Sequence, residues 1–102
     1  MQNKGQLKKD ATEAALAGTL LGCEGRELKK GLWEDCVYLG ADGFVYHITA
    51  NQSRGGIEKK VAAKRAIGEY LRWVDGLFRP GEVPSESTGV HYRAARKLRE
   101  LL

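Results

Sequence analysis

The sequence predicts a single α+β domain. It reads as a helix, an antiparallel β-hairpin (three-stranded if residues 26–28 pair with it), a long central helix and a C-terminal helix. Three observations carry this expectation. Asp42-Gly43, a turn dipeptide, separates two strand-like segments at residues 32–40 and 44–50. Across residues 57–78, Ala63, Ala66, Ile67, Tyr70, Leu71, Val74, Leu77 and Phe78 share one arc at about 100° per residue, opposite Lys64, Arg65, Glu69, Arg72 and Asp75. Near the C-terminus, Val90, Ala94, Leu98, Leu101 and Leu102 recur at helical spacing.

In chain order, residues 6–21 read as the first helix, with Leu7, Ala11, Ala14, Ala15, Ala17, Gly18 and Leu21 on one small-residue face. Leu16 and Leu20 fall off that face, which suits a homodimer contact. Gly22 is placed to stop the helix. Residues 23–31 fit either an edge strand at 26–28 or a loop. A two-residue turn at Asp42-Gly43 predicts the pairs Ala41 with Phe44, Leu39 with Tyr46 and Val37 with Ile48 on an apolar face. Glu34, Cys36 and Tyr38 then share the wetter face with Val45, His47 and Thr49. Residues 51–56 form a turn cluster in which Asn51 or Ser53 caps the central helix. Residues 79–89 hold both prolines and read as a loop before a last helix at 90–102, capped by Ser87 or Thr88.

A chain of 102 residues is one domain, 1–102, large enough to bury roughly two thirds of its unfolded surface. Residues 1–9 are polar and residues 14–21 are interrupted by Gly18 and Thr19, so no signal peptide is expected. No stretch approaches the roughly 20 apolar residues of a membrane span. Two cysteines do not make a disulfide framework. A cytoplasmic protein with reduced thiols, no membrane partner and no cofactor is expected.

The net charge of +4 is unevenly placed, because basic and acidic side chains balance over residues 1–56 and the whole excess lies in residues 57–102. Lys59 and Lys60 fall in the predicted first turn of the central helix, just after Arg54. A helix N-terminus with free N–H groups attracts phosphate. Arg93, Arg96, Lys97 and Arg99 add a second basic stripe against one acid, Glu100. If the two helices lie side by side, the stripes join into a track for a phosphate backbone. Outer-face solvation is the alternative, and pairs such as Arg65 with Glu69 have ordinary helix-surface spacing.

Lys59 to Ala66, KKVAAKRA, resembles the start of the second helix of double-stranded-RNA-binding domains. In that family, lysines at the helix start grip phosphates across a groove, which the resemblance implies for Lys59 and Lys60. The family's Gly-Pro-x-His loop between strands is absent, with Ala41-Asp42-Gly43 in its place.

Catalytic templates fail. The predicted hairpin puts Cys36 and His47 on one face, but no third group to orient the histidine is readable. Cys23, Cys36, His47 and His91 lack the close spacing of a metal site. No phosphate-loop motif occurs, and strand alternation sends Glu34 and Asp35 to opposite faces.

The expected function is therefore non-enzymatic: nucleic-acid binding through phosphate contacts from Arg54, Lys59, Lys60, Arg93, Arg96, Lys97 and Arg99. The alternative is an inhibitor or regulator of a larger protein or nucleoprotein complex. It is similar in type to the small proteins of phages and mobile elements, anti-CRISPR proteins among them. Tyr38 and Trp73 are the candidate anchors for such a partner, or stacking platforms for bases.

Overall fold

The structure is a computed structural model that describes Lys9 and residues 17–77 and 86–102. It is α+β. Strands β1 (Thr19–Lys29), β2 (Leu32–Leu39), β3 (Phe44–Ser53) and β4 (Gly56–Ala66) precede helices α1 (Ile67–Leu77) and α2 (Glu86–Leu101). The strands form one antiparallel meander in the order β1-β2-β3-β4.

The first expected helix is corrected at its end. Thr19–Leu21 opens β1, because Thr19 and Leu20 pair with Leu39 and Tyr38 of β2. Lys9 and Ala17 are helical, and the rest of residues 6–16, Leu16 included, lies outside the described residues. Residues 26–28 belong to β1, which is not a short edge strand but an 11-residue one, and the sheet has four strands where at most three were expected. Of the expected loop at 79–89, residues 79–85 lie outside the described residues and 86–89 are helical.

The long central helix is the largest correction. Residues 57–66 are the edge strand β4, and the helix begins only at Ile67. Lys and Ala are good helix formers, but tertiary pairing overrides that preference. Ten residues of β4 pair with β3, from Phe44↔Ala66 to Ser53↔Gly56. Ala62 falls at a one-residue irregularity between the pairs His47↔Ala63 and Ile48↔Val61. This bulge breaks the period-two alternation that would have announced a strand.

The β2–β3 hairpin exists, with its register one residue from the expected one. Leu39 pairs with Val45, Tyr38 with Tyr46, Val37 with His47 and Cys36 with Ile48. The turn has three residues, not two. Gly40 N donates to Phe44 O at 2.8 Å and Gly43 N to Gly40 O at 3.0 Å. Gly43 sits at φ 85°, the left-handed residue that completes a three-residue hairpin loop. Asp42 holds the turn, its Oδ1 accepting from Phe44 N at 3.1 Å and its Oδ2 from the Tyr46 hydroxyl at 2.6 Å. A one-residue slip exchanges faces, so His47 joins Val37 and Asp35, while Tyr46 and Ile48 join Tyr38 and Cys36.

Both sheet faces are consequently apolar. One carries Leu21, Val37 and Val45 against Tyr70 and Val74 of α1 and Val90, Ala94, Ala95 and Leu98 of α2. The other gathers Leu32, Cys36, Tyr38, Tyr46, Ile48 and Ala50, flanked by Trp33, Ile57 and Val61. Full burial of a side chain of this size is worth about 1.5–3 kcal/mol. Leu101 and Leu102, expected inward, are 49% and 73% exposed, and Ala95 is buried instead. Helix α2 lies very close to β1 at Gly22, where an added Cβ would stand 2.9 Å from the Val90 carbonyl oxygen.

Candidate nucleic-acid interface

The pairing of β2 with β3 ends at Asp35↔Thr49, but β3 and β4 stay paired through Ala50↔Lys59, Asn51↔Glu58, Gln52↔Ile57 and Ser53↔Gly56. Beyond Thr49 the pairing narrows to a two-stranded ribbon, whose root is still covered on one face where Ala50 and Ile57 pack with Leu32 and Trp33. Arg54 and Gly55 form its tip, where the Ser53 hydroxyl donates to the Gly56 carbonyl at 3.0 Å. Lys59 and Lys60 are consecutive on β4, so they point to opposite faces of the ribbon. Lys60 is on the helix side with Thr49, and Lys59 is on the side of Ala50 and Val61. Arg54, Asn51, Gln52, Glu58 and Lys60 are exposed and Lys59 is half-buried. Among the described residues, no carboxylate forms an ion pair with Arg54, Lys59 or Lys60.

A polar joint ties the root of this ribbon to both helices. His47 Nε2 lies 2.6 Å from Asp35 Oδ1, and its ring meets that of His91 edge-on at 4.5 Å. His91 Nδ1 is 2.9 Å from the Tyr70 hydroxyl. Trp73 packs against His91 at 4.8 Å, and the Arg65 guanidinium covers the Trp73 ring at 4.0 Å. Burial, then the neighbouring His47, pushes the His91 pKa down to about 4. Burial also raises the Tyr70 hydroxyl above its ordinary value. His91 is therefore neutral at neutral pH. With the tyrosine donating, its Nδ1 is the acceptor. Among the described residues, no buried side-chain nitrogen or oxygen lacks a partner, so the joint is internally satisfied.

The seven candidate cations do not form one track. Lys59 and Lys60 lie on a strand and not at a helix N-terminus, which also removes the helix on which the resemblance to double-stranded-RNA-binding domains rested. Arg93 pairs with Glu24 and donates to the Cys23 carbonyl at 2.9 Å. Arg99 pairs with Asp75 at 2.8 Å. Both arginines clamp α2, one to β1 and the other to α1. Arg96 and Lys97 are exposed on α2, where Arg96 lines a cleft of about 220 Å³ with Val74, Asp75, Tyr92, Ala95 and Arg99. Lys64 stands 4.5 Å over the Phe44 ring and 5.6 Å from that of Tyr46, so it is committed to aromatic packing.

The aromatic anchors are also repositioned. Tyr38 is 4% exposed and its hydroxyl donates to the Gly31 carbonyl, so it presents no ring to a partner. Trp73 is partly buried beneath Arg65 and against His91. Cys36 and His47 fall on opposite sheet faces, which separates that pair. Among the described residues, no three His, Cys, Asp or Glu side chains gather as a metal site, and no helix is long and apolar enough to cross a membrane.

Sequence reasoning missed Asn51 and Gln52 as ribbon side chains, since residues 51–56 read as a turn cluster. It also missed the Asp35–His47–His91–Tyr70 joint. No protein-family model, curated protein or solved structure matches the chain.

Proposed function

We propose that the protein is a non-enzymatic nucleic-acid-binding protein that grips phosphates with its β3–β4 ribbon. The observation that carries this reading is the placement of Lys59 and Lys60 on opposite faces of a narrow ribbon with Arg54 at its tip. Cations without carboxylate partners lose little on meeting phosphates, whereas Arg93 and Arg99 would first have to give up their acidic partners. Arg96 and Lys97 supply secondary contacts from α2. A fluorescence-anisotropy titration of labelled nucleic acid over a salt series tests the reading. Binding should weaken with a log–log slope of about 0.9 per phosphate contact, and Lys59→Ala with Lys60→Ala should reduce that slope. Absence of binding at low salt would reject it.

A second reading is supported by the α1–α2 cleft. Tyr92, 46% exposed, stands there beside Arg96 and Arg99, residue types that dominate protein–protein hot spots. On this reading the protein blocks a larger protein or nucleoprotein complex, as anti-CRISPR-like inhibitors do. Loss of partner capture on Tyr92→Ala, with the ribbon intact, would favour it.

A further inference from the structure

We infer that the ribbon's ligand is double-stranded B-form DNA, entered through the major groove. This rests on the nucleic-acid reading above and names its substrate class. The first ground is size. Ala50 is still buried against Leu32, so the projecting part is the three residue pairs beyond it, about 10 Å at about 3.3 Å per residue. The major groove of B-DNA is about 12 Å wide and 8.5 Å deep and admits a two-stranded ribbon, while its minor groove is about 6 Å wide. The ribbon is thus long enough to bring Arg54 to the groove floor. Its lysines, facing opposite ways near the root, then meet the two phosphate walls.

The second ground is side-chain chemistry. Residues 49–60 contain no aromatic side chain. Proteins that hold single strands without sequence preference stack bases on aromatic rings, and this ribbon has none to offer. It carries instead Asn51, Gln52, Arg54 and Glu58, the residue types that read base edges: amides for adenine, Arg for guanine and a carboxylate for cytosine. The third ground concerns RNA. The A-form major groove is too deep and narrow for side chains to read, so an RNA duplex does not fit this projection.

The test compares anisotropy titrations of the full chain with a short mixed-sequence DNA duplex, its single strand and the equivalent RNA duplex. Methyl green is added as a major-groove competitor and netropsin as a minor-groove competitor. The expected result is binding of duplex DNA about tenfold tighter than either alternative, displaced by methyl green and not by netropsin. Lys59→Ala with Lys60→Ala should lower the salt slope by about 1.8. Arg54→Glu, a change at an exposed tip, should abolish the duplex preference even if the lysine variant folds poorly. Equal or tighter binding of the single strand or RNA duplex, or displacement by netropsin alone, overturns the groove assignment and leaves the nucleic-acid reading standing. Binding to none of the three overturns both.

Discussion

His91 of α2 meets His47 of β3 edge-on, with ring centroids 4.5 Å apart and planes at 80°. This contact joins a helix to the strand from which the ribbon grows. It also holds a neutral imidazole where a charged one would face His47 and, across Trp73, Arg65.

Acid should therefore loosen the fold. The His91 pKa is about 4 in the folded protein, burial being the larger cause, and about 6.5 in the unfolded chain. Between those values the unfolded chain binds more protons. The contribution is complete above about pH 6.5 and is lost as pH falls toward 4, on the order of 2–3 kcal/mol. Asp35 opposes the shift, and Arg65 adds to it. His91→Gln keeps an acceptor for Tyr70 and removes the titration. Urea unfolding at about pH 7 and about pH 4.5 should show a larger acid loss in the wild type than in this variant. Equal losses would contradict the assignment.

Gly22→Ala should destabilise the protein by about 1–3 kcal/mol, the usual cost of overpacking. The new methyl would sit 2.9 Å from the Val90 carbonyl oxygen, a backbone atom that moves only with α2. A shift in the thermal midpoint measures the effect, and an unchanged midpoint would mean α2 can lift from β1 without cost.

Arg93→Ala and Arg99→Ala should separate structural from binding cations. Their side chains are 52% and 49% exposed, so each pair is worth at most about 1 kcal/mol. Duplex DNA affinity should stay within about twofold of wild type, because these charges already face carboxylates. A loss as large as that of the ribbon lysines would return α2 to the centre of the interface.

Of the two thiols, Cys23 should react first. Burial raises the Cys36 thiol above its ordinary value, and its sulfur contacts the Trp33 carbonyl at 3.5 Å. Cys23 is only half-buried. Iodoacetamide labelling followed by mass spectrometry should give a singly modified native protein at Cys23, with Cys36 labelled only after denaturation. Labelling of both at one rate would refute this.

The sequence made the α+β class legible because the Asp42-Gly43 turn and the spacing of Val90, Ala94 and Leu98 depend on local geometry. The register was not legible. A three-residue loop and a two-residue loop share the same dipeptide, and the choice moved His47 to the face of Asp35. Strand β4 was hidden because Ala62 interrupts the alternation of Ile57, Val61 and Ala63, leaving a run with helical composition. Lys59 and Lys60 were named as phosphate contacts from their charge and from an expected place in the first turn of a helix, which they do not occupy. Their placement on a ribbon follows from pairing with residues 49 and 50, which local propensity does not report.

Strand β4 is an outer strand of the sheet, so one row of its amide and carbonyl groups has no neighbouring strand among the described residues. Such a row templates the addition of foreign chains, and lysines along an edge are a common deterrent to aggregation. Lys59 and Lys60 place two charges on that outer strand, where they should deter such addition. On the proposed reading, replacing them with neutral residues should weaken the grip on nucleic acid and invite fibril-like stacking together. Lys59→Glu with Lys60→Glu keeps the edge charged while reversing its sign, and so isolates recognition from solubility.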